Sequence, residues 1–147
     1  MVKVVTETVI EAPISQVAAY AANPDNAPQW YSNISSAEWK TPKPLQIGSQ
    51  IAFKAEFLGR SLSYTYEIVE LIPEKKLVMR TAQGPFPMET TYTWSAIDDH
   101  HTRMVLQNKG EPAGFSKLFS PFMGPMMKKE NKKDLAKIRA ILESNRP

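Results

Sequence analysis

The change of apolar period near residue 110 constrains the fold more than any other feature of the chain. Before it, apolar and polar residues alternate; after it, in FSKLFSPFMGPMMKKENKKDLAKIRAIL (115–142), apolar residues recur at helical spacing. Met127, Leu135, Ile138, Ile141 and Leu142 fall on one stripe, and Lys128, Lys129, Lys132, Lys133, Lys137 and Arg139 share the other side. A long helix with a single apolar side needs a broad apolar surface to cover. In a strand-rich chain that surface is one face of a sheet. The expectation is therefore a curved antiparallel sheet closed on its open side by this helix, with room for an apolar ligand between them.

The preceding chain reads in the same terms. Residues 2–10 are β-branched and alternating, a strand ended by Ala12-Pro13. Pro13 suits the first turn of a helix whose stripe is Ile14, Val17, Ala18 and Ala21, and Asn23-Pro24 stops it. A second short helix is expected from Asp25 to Trp30. Strands follow at 35–40, at 50–57 with Ile51, Phe53, Ala55 and Phe57 on one face, and after a hairpin at Leu58-Gly59-Arg60. That next strand sets Leu62, Tyr64, Tyr66 and Ile68 on one face and then slips phase to Val69 and Leu71, which predicts a β-bulge. Further strands run from Leu77 to Ala82, through Met88, Thr90, Tyr92 and Trp94, and from Thr102 to Lys109. One strand, two short helices, about six strands joined by hairpin-length turns and one long helix make an α+β domain spanning residues 1–147.

Composition narrows the function classes. With 147 residues, 42% of them hydrophobic, one core is expected, and the absence of cysteine removes disulfides, thiol nucleophiles and cysteine metal sites. Lys3, Glu7 and Glu11 interrupt the N-terminal apolar residues, unlike a signal peptide, and no run reaches membrane-spanning length. A cytoplasmic location is expected. The net charge of +3 resides largely on the last helix, whose basic face suits weak contact with an anionic membrane surface. Nucleic acid is not an expected partner, since no RNP-type motif, phosphate loop or zinc spacing accompanies the lysines.

No metal or cofactor is expected. His100 and His101 are adjacent in the polar turn Asp98-Asp99-His100-His101, and neighbours on a turn seldom converge on one ion. No G-x-S-x-G motif supports Ser/His/Asp catalysis, and Glu56, Glu67, Glu70 and Glu89 mostly occupy outward parity. Arg80 is read as the partner of a glutamate on a neighbouring strand. The inward parity collects Phe53, Phe57, Tyr64, Tyr66, Met88, Tyr92 and Trp94, joined by Met104 and Leu106 from the last strand. Aromatics with polar tips and flexible methionines suit an adaptable apolar pocket, and alternation alone serves a packed core equally well. Asn131 and Asp134 project into the helix's apolar arc, where each needs a hydrogen-bond partner in the protein or a ligand. Gly124-Pro125, among Phe115, Leu118, Phe119, Phe122, Met123, Met126 and Met127, is expected to interrupt the helix, as a kinked start or a lid hinge.

Several segments resemble one family, in order and nearly end to end. They are Ile10-Glu11-Ala12-Pro13, Trp30, Tyr64-Thr65-Tyr66-Glu67-Ile68-Val69-Glu70-Leu71 with Pro73, and Gly84-Pro85-Phe86-Pro87-Met88-Glu89-Thr90-Thr91-Tyr92-Thr93-Trp94. Asn108-Lys109-Gly110-Glu111-Pro112 and Asn131-Lys132-Lys133-Asp134-Leu135 complete them. The chain is similar to the SRPBCC superfamily, with its Bet v 1/START-like helix-grip fold, and more narrowly to the polyketide cyclase/dehydrase-like family. The resemblance implies about seven antiparallel strands wrapped around the C-terminal helix and a cavity for lipids, polyketides or other hydrophobic molecules. The candidate ligand-binding residues are Trp30, Phe53, Phe57, Tyr64, Tyr66, Met88, Tyr92, Trp94, Met104, Met127, Asn131 and Asp134. A non-catalytic carrier or sensor, monomer or homodimer, is the leading expectation. One alternative is a cyclase or dehydratase using a tyrosine or Asp134 as acid or base. The other is a protein-interaction module presenting the basic helix face and the 115–127 segment.

Overall fold

The computed structural model describes residues 2–57, 59–83, 87–110 and 120–144, with side chains except at positions 2, 57, 60 and 120–124. Leu58, Gly84, Pro85, Phe86, Phe115, Leu118 and Phe119 thus lie outside the described residues, as do the side chains of Phe57, Phe122 and Met123.

Strand β1 (Val2–Ile10) is followed by helix α1 (Ile14–Ala22), a 3-10 turn (Pro24–Asn26) and helix α2 (Ala27–Trp30). Six strands come next: β2 (Ile34–Trp39), β3 (Gln50–Phe57), β4 (Arg60–Ile72), β5 (Lys76–Gln83), β6 (Met88–Asp98) and β7 (His101–Gly110). Helix α3 (Ser120–Ser144) follows them. The strands form one seven-stranded sheet in the order β1-β7-β6-β5-β4-β3-β2. Each of β2 to β6 pairs antiparallel with its successor, through a ten-residue connection (40–49) between β2 and β3 and shorter ones after that. The two helices carry the chain away from β1, which pairs instead with β7 in unbroken register from Val2↔Gly110 to Ile10↔Thr102.

Local chemistry sets these boundaries. Pro13, extended at φ −64°, precedes the first turn of α1, and Asn23 stays extended ahead of Pro24 while its Oδ1 accepts from the Asp25 amide. The expected bulge is present in β4: the pairing with β5 shifts between Ile68↔Met79 and Glu70↔Val78. The extra residue, Val69, lets buried Ile68 and half-buried Leu71 both reach the core despite their odd spacing. Further irregularities in β2–β3 and β6–β7 add to the bend of the sheet.

The inner parity is apolar and covered. Ile51, Phe53 and Ala55 are buried while Lys54 and Glu56 are exposed, and Tyr92, Trp94, Met104 and Leu106 are buried on the central strands. Leu135, Ile138 and Leu142 of α3 join this core, and the six expected cationic positions of α3 are exposed. α3 lies against β1 and α2. The helix runs through Pro125, so the expected interruption at Gly124-Pro125 is not seen. A proline close to the start of a helix removes only one backbone bond there, and the rest of the helix is held by its packing. Arg80 is exposed and its Nε donates to Glu89 Oε2 at 2.7 Å, the cross-strand pair the sequence suggests. His101 Nδ1 pairs with Asp98 in the β6–β7 turn. Among the described residues no helix is long and apolar enough to cross a membrane.

One turn carries local strain. Lys75 N donates to Ile72 O at 3.0 Å across the β4–β5 turn, with Pro73 first and Glu74 second at φ 62°. Glycine is the residue that adopts this conformation freely. Glu74→Gly is expected to stabilise the protein by up to about 1 kcal/mol, read as a higher thermal midpoint; a lower midpoint would count against strain at this turn.

Candidate ligand pocket

A cavity of about 130 Å³ remains between the sheet and α3. At roughly 10–15 Å³ per water centre, it has room for on the order of ten waters, or one small organic molecule. Its floor is the inner parity of five strands: Phe53 and Ala55 of β3, Tyr64 and Tyr66 of β4, Met79 of β5, Met88, Thr90 and Tyr92 of β6, and Asn108 of β7. Met127, Glu130, Asn131 and Asp134 line it from α3, and Tyr31, Asn33 and Ile34 from the segment after α2. Met127, Asn131 and Asp134 share one side of the helix because they are spaced three, four or seven apart, and Glu130 flanks them. A smaller void of about 20 Å³ lies beneath α1 and also touches Phe53, Met79 and Tyr92.

The aromatic wall is built from two groups of touching rings. Phe53 meets Tyr66 edge-on at 5.8 Å, and Tyr64 meets Tyr66 at 6.2 Å between centroids. Tyr92 packs against Trp94 at 6.1 Å and Trp30 at 5.7 Å. The hydroxyls of Tyr31 and Tyr92 hydrogen-bond to each other at 2.5 Å. Burial pushes the Tyr66 hydroxyl up to about 12, and it also raises Tyr31, Tyr64 and Tyr92 well above the ordinary phenol value. At neutral pH these hydroxyls stay protonated and serve as neutral donors and acceptors.

Beside the rings runs a polar seam. Thr90 Oγ1 donates to Asn108 Oδ1 at 2.6 Å, and Asn108 Nδ2 donates to Asn131 Oδ1 at 2.9 Å. Beside Asn131, Asp134 Oδ1 accepts from Ser32 N at 2.9 Å and Ser32 Oγ at 3.0 Å. The seam ties β6, β7, α3 and the segment after α2 to one another. Asp134 is only 1% exposed, and burial raises its carboxyl to about 6 although the Ser32 bonds oppose the shift. Asn131 and Asp134 therefore have protein partners, as a buried amide and carboxylate require, and also line the cavity. Asn131 pairs with the Asn108 side chain, and Asp134 with both the backbone amide and the hydroxyl of Ser32.

Of the candidates named from sequence, Phe53, Tyr64, Tyr66, Met88, Tyr92, Met127, Asn131 and Asp134 converge on the cavity wall. Trp30, Trp94 and Met104 are buried in the packed core behind it. The Phe57 side chain is outside the described residues. Tyr31, Met79, Thr90 and Asn108 line the cavity and were not among the candidates. Thr90 and Asn108 carried a usable signal, because each is polar on its strand's inward parity. Tyr31 carried none beyond adjacency to Trp30. Among the described residues no cluster of His, Cys, Asp and Glu has the arrangement of a metal site.

The family model for polyketide cyclase/dehydrase and lipid transport proteins matches residues 1–143. Among solved structures, the chain is similar to TTHA0849 from Thermus thermophilus, with TM-score 0.83 and 19% identity over 99% of both chains. It is also similar to the Zhui aromatase/cyclase from Streptomyces sp. R1128, at TM-score 0.78 and 17% identity, covering 96% of this chain and 93% of that one. A START superfamily protein from Mycobacterium smegmatis matches at TM-score 0.73 and 19% identity, covering 97% and 94%. At such identities the likeness shows the fold alone. No curated protein matches the chain significantly.

Asp134 makes stability depend on pH with a definite sign. Its folded value of about 6 exceeds the ordinary value of 3.8, so the fold holds the proton more tightly than the unfolded chain does. That contribution is present at low pH and is lost as pH rises through the window from about 4 to about 6, at a cost of roughly 3 kcal/mol. Asp134→Asn keeps an acceptor for Ser32 and removes the charge. Its stability relative to the parent is expected to improve across that window and level off above it in denaturant titrations; a difference independent of pH would show that the carboxyl is not desolvated.

Proposed function

The chain belongs to the polyketide cyclase/dehydrase and lipid transport family, within the SRPBCC superfamily, and on that premise we propose that it binds a small hydrophobic molecule as a carrier or sensor. The observation that carries this reading is the cavity itself, which persists beneath a helix that is otherwise tightly packed, with a wall of rings and thioethers. A ligand the size of an indole ring system buries up to about 250 Å². That area contributes about 6 kcal/mol, against an association cost of at least roughly 4 kcal/mol. Apolar contact alone thus gives weak binding. The tyrosine hydroxyls and the polar seam would supply the remaining affinity and the orientation.

Two measurements test this. Native mass spectrometry of gently purified protein is expected to show a co-purified apolar ligand. Ala55→Phe, which projects a ring into the cavity from β3, is expected to weaken binding of the neutral fluorophore N-phenyl-1-naphthylamine at least tenfold while leaving circular dichroism unchanged. Equal fluorescence enhancement in parent and variant would place binding elsewhere and remove the proposal.

A second reading, cyclase or dehydratase chemistry, is favoured by one feature: a carboxyl near 6 within a cavity also lined by tyrosines, where it could exchange protons near neutral pH. Under that reading Asp134→Asn lowers turnover of a polyketide-like substrate by two orders of magnitude or more, and Tyr92→Phe by a smaller factor. Retention of full turnover by both variants would exclude these residues as acid and base.

A further inference from the structure

The charge of the cavity wall restricts what head group a ligand can carry. Among the described residues that line the cavity, Glu130 and Asp134 are carboxylates, and there is no lysine, arginine or histidine. The nearby cations face solvent: Lys54 is exposed on the outer parity of β3, Arg80 is engaged with Glu89, and Lys133 is exposed beside Glu130. Two donors on the seam are already committed. Asn108 Nδ2 serves Asn131, and the Ser32 amide serves Asp134. In the Tyr31–Tyr92 pair one hydroxyl hydrogen bridges the two oxygens, which leaves the second hydrogen able to donate inward. The cavity therefore offers carboxylate and phenol oxygens as acceptors, and the donors of its described lining are neutral hydroxyls and amides with no cation among them.

We propose that the pocket selects an apolar ligand bearing a neutral hydroxyl, an alcohol or a phenol, and excludes carboxylate and phosphate head groups. The inference rests on the reading of this cavity as a hydrophobic-ligand site and adds its head-group selectivity. A hydroxyl donates to Glu130 or Asp134 and accepts from the tyrosine pair, so both of its hydrogen-bonding capacities are met. An anion entering the same chamber meets two carboxylates, and among the described lining residues no cation faces it. Like charges about 6 Å apart at an effective dielectric of about 20 repel enough to weaken binding on the order of a hundredfold. A cation gains less than the two carboxylates suggest, because Glu130 already has Lys133 at 3.4 Å and Asp134 already accepts two hydrogen bonds from Ser32.

Isothermal titration at pH 7.5 with three ligands on one ring system tests the proposal: 2-naphthol, 2-naphthoate and 2-naphthylmethylammonium. Naphthol is expected to bind at least tenfold more tightly than naphthoate. In the isosteric double variant Glu130→Gln/Asp134→Asn that gap should close to within about threefold. Naphthoate binding as tightly as naphthol to the parent protein would overturn the selectivity while leaving the hydrophobic-ligand reading standing. Tighter binding of the ammonium than of naphthol would overturn the preference for a neutral hydroxyl. If none of the three binds, the ligand-site reading falls, and the inference with it.

Discussion

A single helix has to cover the inner face of a seven-stranded sheet, and it is too narrow to do so. Strands about 4.8 Å apart make such a sheet nearly 30 Å across, while a helix with its side chains is about 10 Å wide. Bulges reduce the mismatch by bending the sheet toward the helix. α1 and α2 fill part of what remains, because Pro13 and Pro24 fix where they begin and end. α3 settles against β1 and α2, where Leu135, Ile138 and Leu142 find the core. The space left over the middle strands is the cavity. It is a geometric remainder of the architecture, and its chemistry is set by whichever side chains happen to face it.

Those side chains divide into two walls with different duties. The rings on β3, β4 and β6 present broad apolar faces with protonated hydroxyls at their tips. The seam through Thr90, Asn108, Asn131, Asp134 and Ser32 fixes α3 to the sheet and to the segment after α2. Every buried polar group on that seam named here has a partner, so the wall is stable when empty and still displays oxygen atoms to an occupant. Position and recognition are thereby assigned to the same residues.

The architecture was legible in the sequence because it follows from periodicity. The alternation at Ile51, Phe53 and Ala55, the slip at Val69 and the stripe ending in Leu142 each state a local geometry. Parity says which side a residue faces and not how deep it lies, so Trp94 and Met104 read the same as Tyr92 although they sit behind the cavity wall. Long-range partnerships were not legible. Ser32 meets Asp134 across 102 positions and Tyr31 meets Tyr92 across 61, and no local pattern encodes either meeting. The continuity of α3 through Pro125 has the same origin: packing along the rest of the helix outweighs a local breaker.

The pairing of β1 with β7 has a consequence for how the molecule is made. The first strand to emerge during synthesis must wait for the last, since its partner positions run from Thr102 to Gly110. Until then β1 is an unpaired, β-branched edge, the kind of segment that invites intermolecular pairing. Contacts between such distant positions also slow the search for the native topology. Nascent chains halted before residue 102 would therefore be the aggregation-prone species, and a chaperone would be needed most over that interval.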